Sequence, residues 1–154
     1  NVVGMKDSSW NIDNMLKITK FFNGFSLFSG SDSLALKVCK HGGAGAITAT
    51  SNISGKLLSY IINNYKDENS IDSFYELQIL QEKIRQTLFT HEPISALKAF
   101  MSIKHKNMDW NRVNAPLEII IDPENHKTII GLIQLIKKME ELVPSSWFKI
   151  IFSF

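Results

Sequence analysis

The chain has 154 residues, a formal net charge of +2, a hydrophobic fraction of 44% and a charged fraction of 21%. That size and balance suit one ordinary domain with a packed core, and they give no pull toward nucleic acid or a charged tail. No apolar run reaches the roughly 18 residues a membrane-spanning helix needs, and Cys39, the only cysteine, excludes an internal disulfide and any paired-cysteine metal or redox motif.

The chain opens on Asn1, Val2 and Val3 without the charged segment of a signal peptide. A strand that starts at the first residue reads as part of something longer. Val2 to Met5 is expected to be a fully buried strand ending at Lys6. Asp7, Ser8 and Ser9 follow as turn and cap residues. Met15, Leu16, Ile18, Phe21 and Phe22 fall at helical spacing, and Asn23-Gly24 closes that helix. Phe25 to Phe28 is a second short apolar run, punctuated by Gly30-Ser31-Asp32. Leu34, Ala35, Val38 and Cys39 mark a second helix that stops at His41-Gly42-Gly43. Ala44 to Thr50 is the third expected strand, and Ile53 to Ile62 the third helix.

Three strand–helix alternations in the first 65 or so residues are the mark of a parallel sheet with helices outside. Pattern alone leaves a doubly wound sheet and a (β/α)8 barrel both open. The second half is helical: Ile71 to Thr90, then Ile94 to Ile103 after Pro93, then about His126 to Glu141. Glu118 to Ile121 hints at a strand too short to assign. The expected division is an α/β part over residues 1–66, a helical region over 67–142 and an atypical aromatic tail over 143–154. That tail reads as a docking segment or, with slightly better reason, as foreign sequence from a truncated or frame-shifted gene.

Lys6 is the most informative candidate for chemistry. Strand ends on the C-terminal side of a parallel sheet face the ligand crevice. A lysine partly desolvated there has its pKa lowered from about 10.4, and a neutral amine attacks a carbonyl to form a Schiff base. The same pattern also describes a lysine snorkelling to solvent. Gly42-Gly43-Ala44-Gly45 has the composition of an anion cradle, but it precedes a strand and fits neither dinucleotide nor P-loop spacing, which favours a helix cap and tight turn. Ser29-Gly30-Ser31-Asp32 ends the second strand as Lys6 ends the first, so Ser31 and Asp32 either cap the next helix or meet a polar substrate. Thr48, Thr50 and Ser51 bond either a ligand or their neighbours. His41, His91, His105 and His126 lack paired-ligand spacing, so no metal site is expected.

Several blocks in order resemble one family. Val3-Gly4-Met5-Lys6-Asp7-Ser8-Ser9, Phe28-Ser29-Gly30-Ser31-Asp32, Gly42 to Asn52, Pro93 to Ala99 and Trp110 to Leu117 are similar to segments of the dihydrodipicolinate synthase / N-acetylneuraminate lyase family. The resemblance covers roughly residues 2–140. It implies a (β/α)8 TIM barrel with a C-terminal helical extension, of which this chain holds strands six to eight and the extension. It also implies a class I aldolase or lyase in which Lys6 forms the imine with pyruvate or a related 2-oxo acid. Gly30 and Ile47 match positions whose backbone lines the pocket, and Ser31 and Asp32 match a loop contacting the variable part of the substrate.

No cofactor is implied. The partners implied are a 2-oxo acid and an aldehyde, with no nucleic acid and no membrane, in a cytoplasmic homo-oligomer that is a dimer or a tetramer. The family's carboxylate-binding serine or threonine pair and its proton-relaying tyrosine lie on earlier strands, so Tyr60, Tyr65 and Tyr75 are not assigned that role. Synthase-like activity leads; neuraminate lyase-like and 2-keto-3-deoxy sugar acid aldolase or dehydratase activities, and an inactive truncated fragment, stay open. Trp10 departs from the pattern, since many members have glycine there.

Overall fold

The computed structural model describes residues 1–65 and 71–143; the expected tail lies, from residue 144 on, outside them. Three parallel strands form one sheet in the order β1 (Gly4–Asp7), β2 (Ser26–Ser29), β3 (Gly45–Ala46). β1 is joined to β2 through α1 (Ile12–Phe21), and β2 to β3 through α2 (Asp32–Lys40). Then follow α3 (Ser51–Asn64), α4 (Ile71–Leu88), α5 (Pro93–Lys104), a 3-10 turn over Met108–Asn111 and α6 (Lys127–Leu142). The expected alternation of strand and helix therefore stands.

Local chemistry sets the helix ends. The Asn11 side chain accepts the Asn14 N–H at 3.0 Å and starts α1. It takes the capping role expected of Asp7, Ser8 and Ser9, because Asp7 closes its own turn by accepting the Ser9 N–H at 2.7 Å. α5 begins with Pro93 in its first turn and the Glu92 carboxylate accepting the Ile94 and Ser95 N–H groups at 3.2 and 2.7 Å. α2 ends in the glycine turn: Gly42, at φ 92°, donates to Cys39 O, Gly43 to Val38 O, and Ala44 to Leu27 O. These N–H groups are spent on the protein's own carbonyls, so the turn is a cap and not an anion cradle.

Two expectations need correction. β3 spans two residues, not the seven from Ala44 to Thr50. Beyond Ala46 one bond, Ile47 N–H to Ser29 O at 2.9 Å, continues the ladder, and then Thr48, Ser51 and Asn52 close a turn into α3 through their side chains. β1 runs Gly4–Asp7 rather than from Val2, and it is not buried: Met5 is 42% exposed, of its four residues only Asp7 is buried, and Val2, ahead of the strand, is 81% exposed. It is an edge strand whose outer side no described element covers. Residues 118–121 form no strand; the chain there is irregular, held by Asn111 Nδ2 donating to Ile120 O at 2.8 Å.

Two apolar clusters result. The smaller joins Leu27 of β2 to Met15 of α1 and Val38 of α2. The larger joins Ile53, Leu57 and Ile61 of α3 to α4, α5 and α6, through residues such as Ile84, Leu88, Phe100, Ile129 and Leu132. It extends to Val143, whose side chain is buried there. α3 thus shares its core with the helices that follow it.

Candidate active site

Register places the site. In a parallel pair, aligned residues point to the same side of the sheet. Lys6 aligns with Phe28, and Phe28 with Gly45, while Met5 aligns with Leu27. Leu27 is fully buried against α1 and α2. Lys6 and Phe28 therefore occupy the opposite face, which in a closed barrel is the interior. Lys6 sits one residue from the C-terminal end of β1, which runs on to Asp7 instead of ending at Lys6 as the pattern suggested.

Its environment differs from expectation in one respect. Lys6 is exposed, not partly desolvated, because among the described residues nothing packs over that face, and neither described salt bridge involves it. Its neighbour Asp7 points the other way and is buried. Burial alone would raise the Asp7 pKa, but the hydrogen bonds from Ser9 and Asn14 outweigh it and hold the carboxyl below its ordinary range.

Gly30 follows β2 and donates its N–H to Asp7 O at 2.7 Å. A Cβ there would stand 2.2 Å from Ser8 Oγ and 2.8 Å from Asp7 O, so only glycine lets the two strand ends meet this closely. Ile47 lies next to it across the sheet, bound to Ser29 O, with its side chain half exposed. Ser31 is 2% exposed; its N–H donates to Ser29 Oγ, and its own hydroxyl finds no partner among the described residues. Asp32 is buried at the start of α2, where the helix dipole favours a carboxylate. Its Oδ1 accepts from Thr48 Oγ1 at 2.8 Å and from Gln81 Nε2 at 3.0 Å.

Lys6, Gly30 and Ile47 are thus gathered at one end of the sheet. Asp32 is tied from behind to the β3–α3 turn and to α4, which answers for Thr48: it bonds a neighbour. Two features were missed in the sequence. Gln81 of α4 reaches Asp32 and Ser54 Oγ, a coupling across 49 positions that no local pattern reveals. Trp10 stands at φ 61°, with the Arg85 guanidinium 4.5 Å from its ring centroid and 5.1 Å from that of Phe89. The glycine found here in the resembling family was the available signal, since a left-handed position favours glycine.

Among known proteins, the model of the Dihydrodipicolinate synthetase family matches residues 1–128. The 4-hydroxy-tetrahydrodipicolinate synthase of Buchnera aphidicola subsp. Cinara cedri is 29% identical over 89% of this chain and 46% of its own length. That of Listeria monocytogenes serovar 1/2a is 39% identical over 43% of this chain and 23% of its own. Among solved structures, a dihydrodipicolinate synthase of Bacillus anthracis superposes with a TM-score of 0.71 at 20% identity, over 89% of this chain and 45% of that one. A variant of the 2-keto-3-deoxygluconate aldolase of Sulfolobus solfataricus reaches 0.77 at 23% identity, over 91% and 47%. At such identities the structural likeness speaks for the fold. The chain spans less than half the length of these relatives.

Proposed function

The chain belongs to the dihydrodipicolinate synthetase family, and from that premise we propose that it carries the Schiff-base lysine of a carbon–carbon lyase acting on pyruvate or a related 2-oxo acid. The observation that carries this reading is the position of Lys6: near the C-terminal end of a parallel strand, on the sheet face turned away from the helices, with no described ion pair. In this reading the neutral Lys6 amine attacks the keto carbon, and the carbinolamine loses water to give a protonated imine. The imine nitrogen accepts the electron pair released when a proton leaves the adjacent methyl carbon, giving an enamine. The enamine carbon then adds to an aldehyde, and water releases the product and restores the amine. The reverse sequence cleaves the same bond. Because the imine itself is the electron sink, the chemistry needs no cofactor.

The backbone at Gly30 and Ile47 lines the pocket beside Lys6. Ser31 and Asp32 shape the loop that meets the variable end of the substrate, with Asp32 held from behind by Thr48 and Gln81. The three strands correspond to strands six to eight of a (β/α)8 barrel, and α4 to α6 form its helical extension. The curated relatives' names favour a 4-hydroxy-tetrahydrodipicolinate synthase-like reaction. The family resemblance implies that the groups binding the carboxylate and relaying protons come from earlier strands, so we propose that these residues alone do not turn over substrate. The complete protein is a cytoplasmic homo-oligomer, as the family resemblance implies.

The test pairs the chain with the first five barrel strands of the Buchnera relative and measures condensation of pyruvate with its aldehyde. Turnover is expected in the paired form, and Lys6→Ala should lower it by about three orders of magnitude or more. Turnover unaffected by Lys6→Ala sinks the assignment.

A further inference from the structure

A cavity of about 280 Å³ lies between α2, α3 and α4, behind the strand-end loop, with which it shares Asp32. Its apolar wall is Leu36, Leu58 and Ile61; its polar wall includes Asp32, Gln81 and Glu82. The hydrogen bonds on that polar wall leave acceptors over. Gln81 is 4% exposed, and its Nε2 is committed to Asp32 Oδ1 and Ser54 Oγ, each at 3.0 Å. Those two bonds fix the orientation of the amide, since the reverse would set its oxygen against a carboxylate. Gln81 Oε1 is left buried, without a partner among the described residues. The bonds to Asp32 fall on Oδ1, and neither described salt bridge includes this carboxylate. Glu82 differs: Arg85 and Gln86 reach its Oε1 and Ser33 its Oε2, so its charge is answered.

A buried carboxylate without a countercharge and a buried amide oxygen without a donor both carry a desolvation cost that a positively charged donor relieves. The aliphatic wall adds room for a short hydrocarbon stem. We propose that this cavity is a binding site for a small alkylammonium group, its N–H donors directed at Asp32 and at Gln81 Oε1 and its chain laid along Leu36, Leu58 and Ile61. The site shares Asp32 with the strand-end loop, but it does not include Lys6 and does not depend on the reaction assigned to that lysine.

The test titrates n-butylammonium chloride into the isotopically labelled chain and follows its amide signals by NMR, with n-butanol as the neutral probe of similar shape. Saturable shifts centred on the Gln81 side-chain amide and the Asp32 and Ser33 backbone are expected for the ammonium alone. Gln78 is an exposed lining residue, so Gln78→Lys leaves the core intact while bringing a tethered ammonium to the cavity. That variant should weaken n-butylammonium binding by about tenfold or more and raise the Tm. Equal shifts with n-butanol, shifts centred elsewhere, no saturable shift, or unchanged binding in Gln78→Lys overturn the proposal.

Discussion

Trp10 holds a left-handed backbone that costs a residue with a Cβ about 1–2 kcal/mol. Its ring recovers a similar amount beneath the Arg85 guanidinium, about 0.5–2 kcal/mol for a partly exposed cation–π pair. Trp10→Gly removes both terms and should leave the Tm nearly unchanged. Trp10→Ala keeps the strain and loses the ring, so it should melt below Trp10→Gly; an alanine variant that melts above the glycine variant would contradict this balance. Asp7 gives a pH-dependent case. Its folded-state pKa lies below the ordinary value, so the ionised form is favoured in the folded chain. That stabilisation is present above about pH 4 and is lost as the pH falls through the folded pKa. Asp7→Asn should therefore cost about 1 kcal/mol at neutral pH, with the two melting curves converging as the pH falls through the folded-state pKa. A gap that stays constant with pH would refute the assignment.

Among the elements, α5 depends most visibly on its cap. Burial opposes ionisation of Glu92, but the Ser95 and Ile94 N–H groups outweigh it and hold its pKa below the usual carboxylate range, with a smaller contribution from His91. Glu92→Ala is expected to cost about 1 kcal/mol at pH 7. The loss should shrink as acid protonates the wild-type carboxylate, which thermal melts across pH 3–7 would show. The helices were legible because their apolar residues recur every three or four positions: Ile129, Leu132, Ile136 and Met139 face the core as their spacing requires. β3 was not, because Ala44 to Thr50 carries strand-like composition while Thr48 and Ser51 spend their side chains on a turn. The burial of β1 was misread for a related reason. An apolar sequence reports that a strand has a partner, not whether that partner is in the same chain.

At the scale of the whole molecule, the sheet has two open edges among the described residues. Among the described residues β1 and β3 each pair on one side only, and Val2, Val3, Met5 and Ile47 stand exposed along them. Unpaired edges of this kind recruit further strands. The isolated chain should therefore self-associate with concentration in sedimentation experiments, and addition of the complementary barrel strands should suppress that. A soluble monomer with a cooperative melt at all concentrations would show that the edges are inert. The sequence made the parallel α/β order and the strand-end position of Lys6 readable, since both are local. The Asp32–Gln81 tie and the Trp10–Arg85 contact were not, because each joins residues brought together only by packing of the helical half.

In the proposed function, Lys6 bonds covalently to a 2-oxo acid. That bond is tested by pyruvate with sodium borohydride, followed by peptide mass mapping, on the chain alone and on the chain paired with the first five barrel strands of the Buchnera relative (the completed form). A reduced pyruvyl group on the Lys6 peptide of the completed form, absent from the chain alone and from Lys6→Arg, is the predicted result. No adduct on Lys6 in the completed form, or an adduct on another of its lysines instead, would contradict the account.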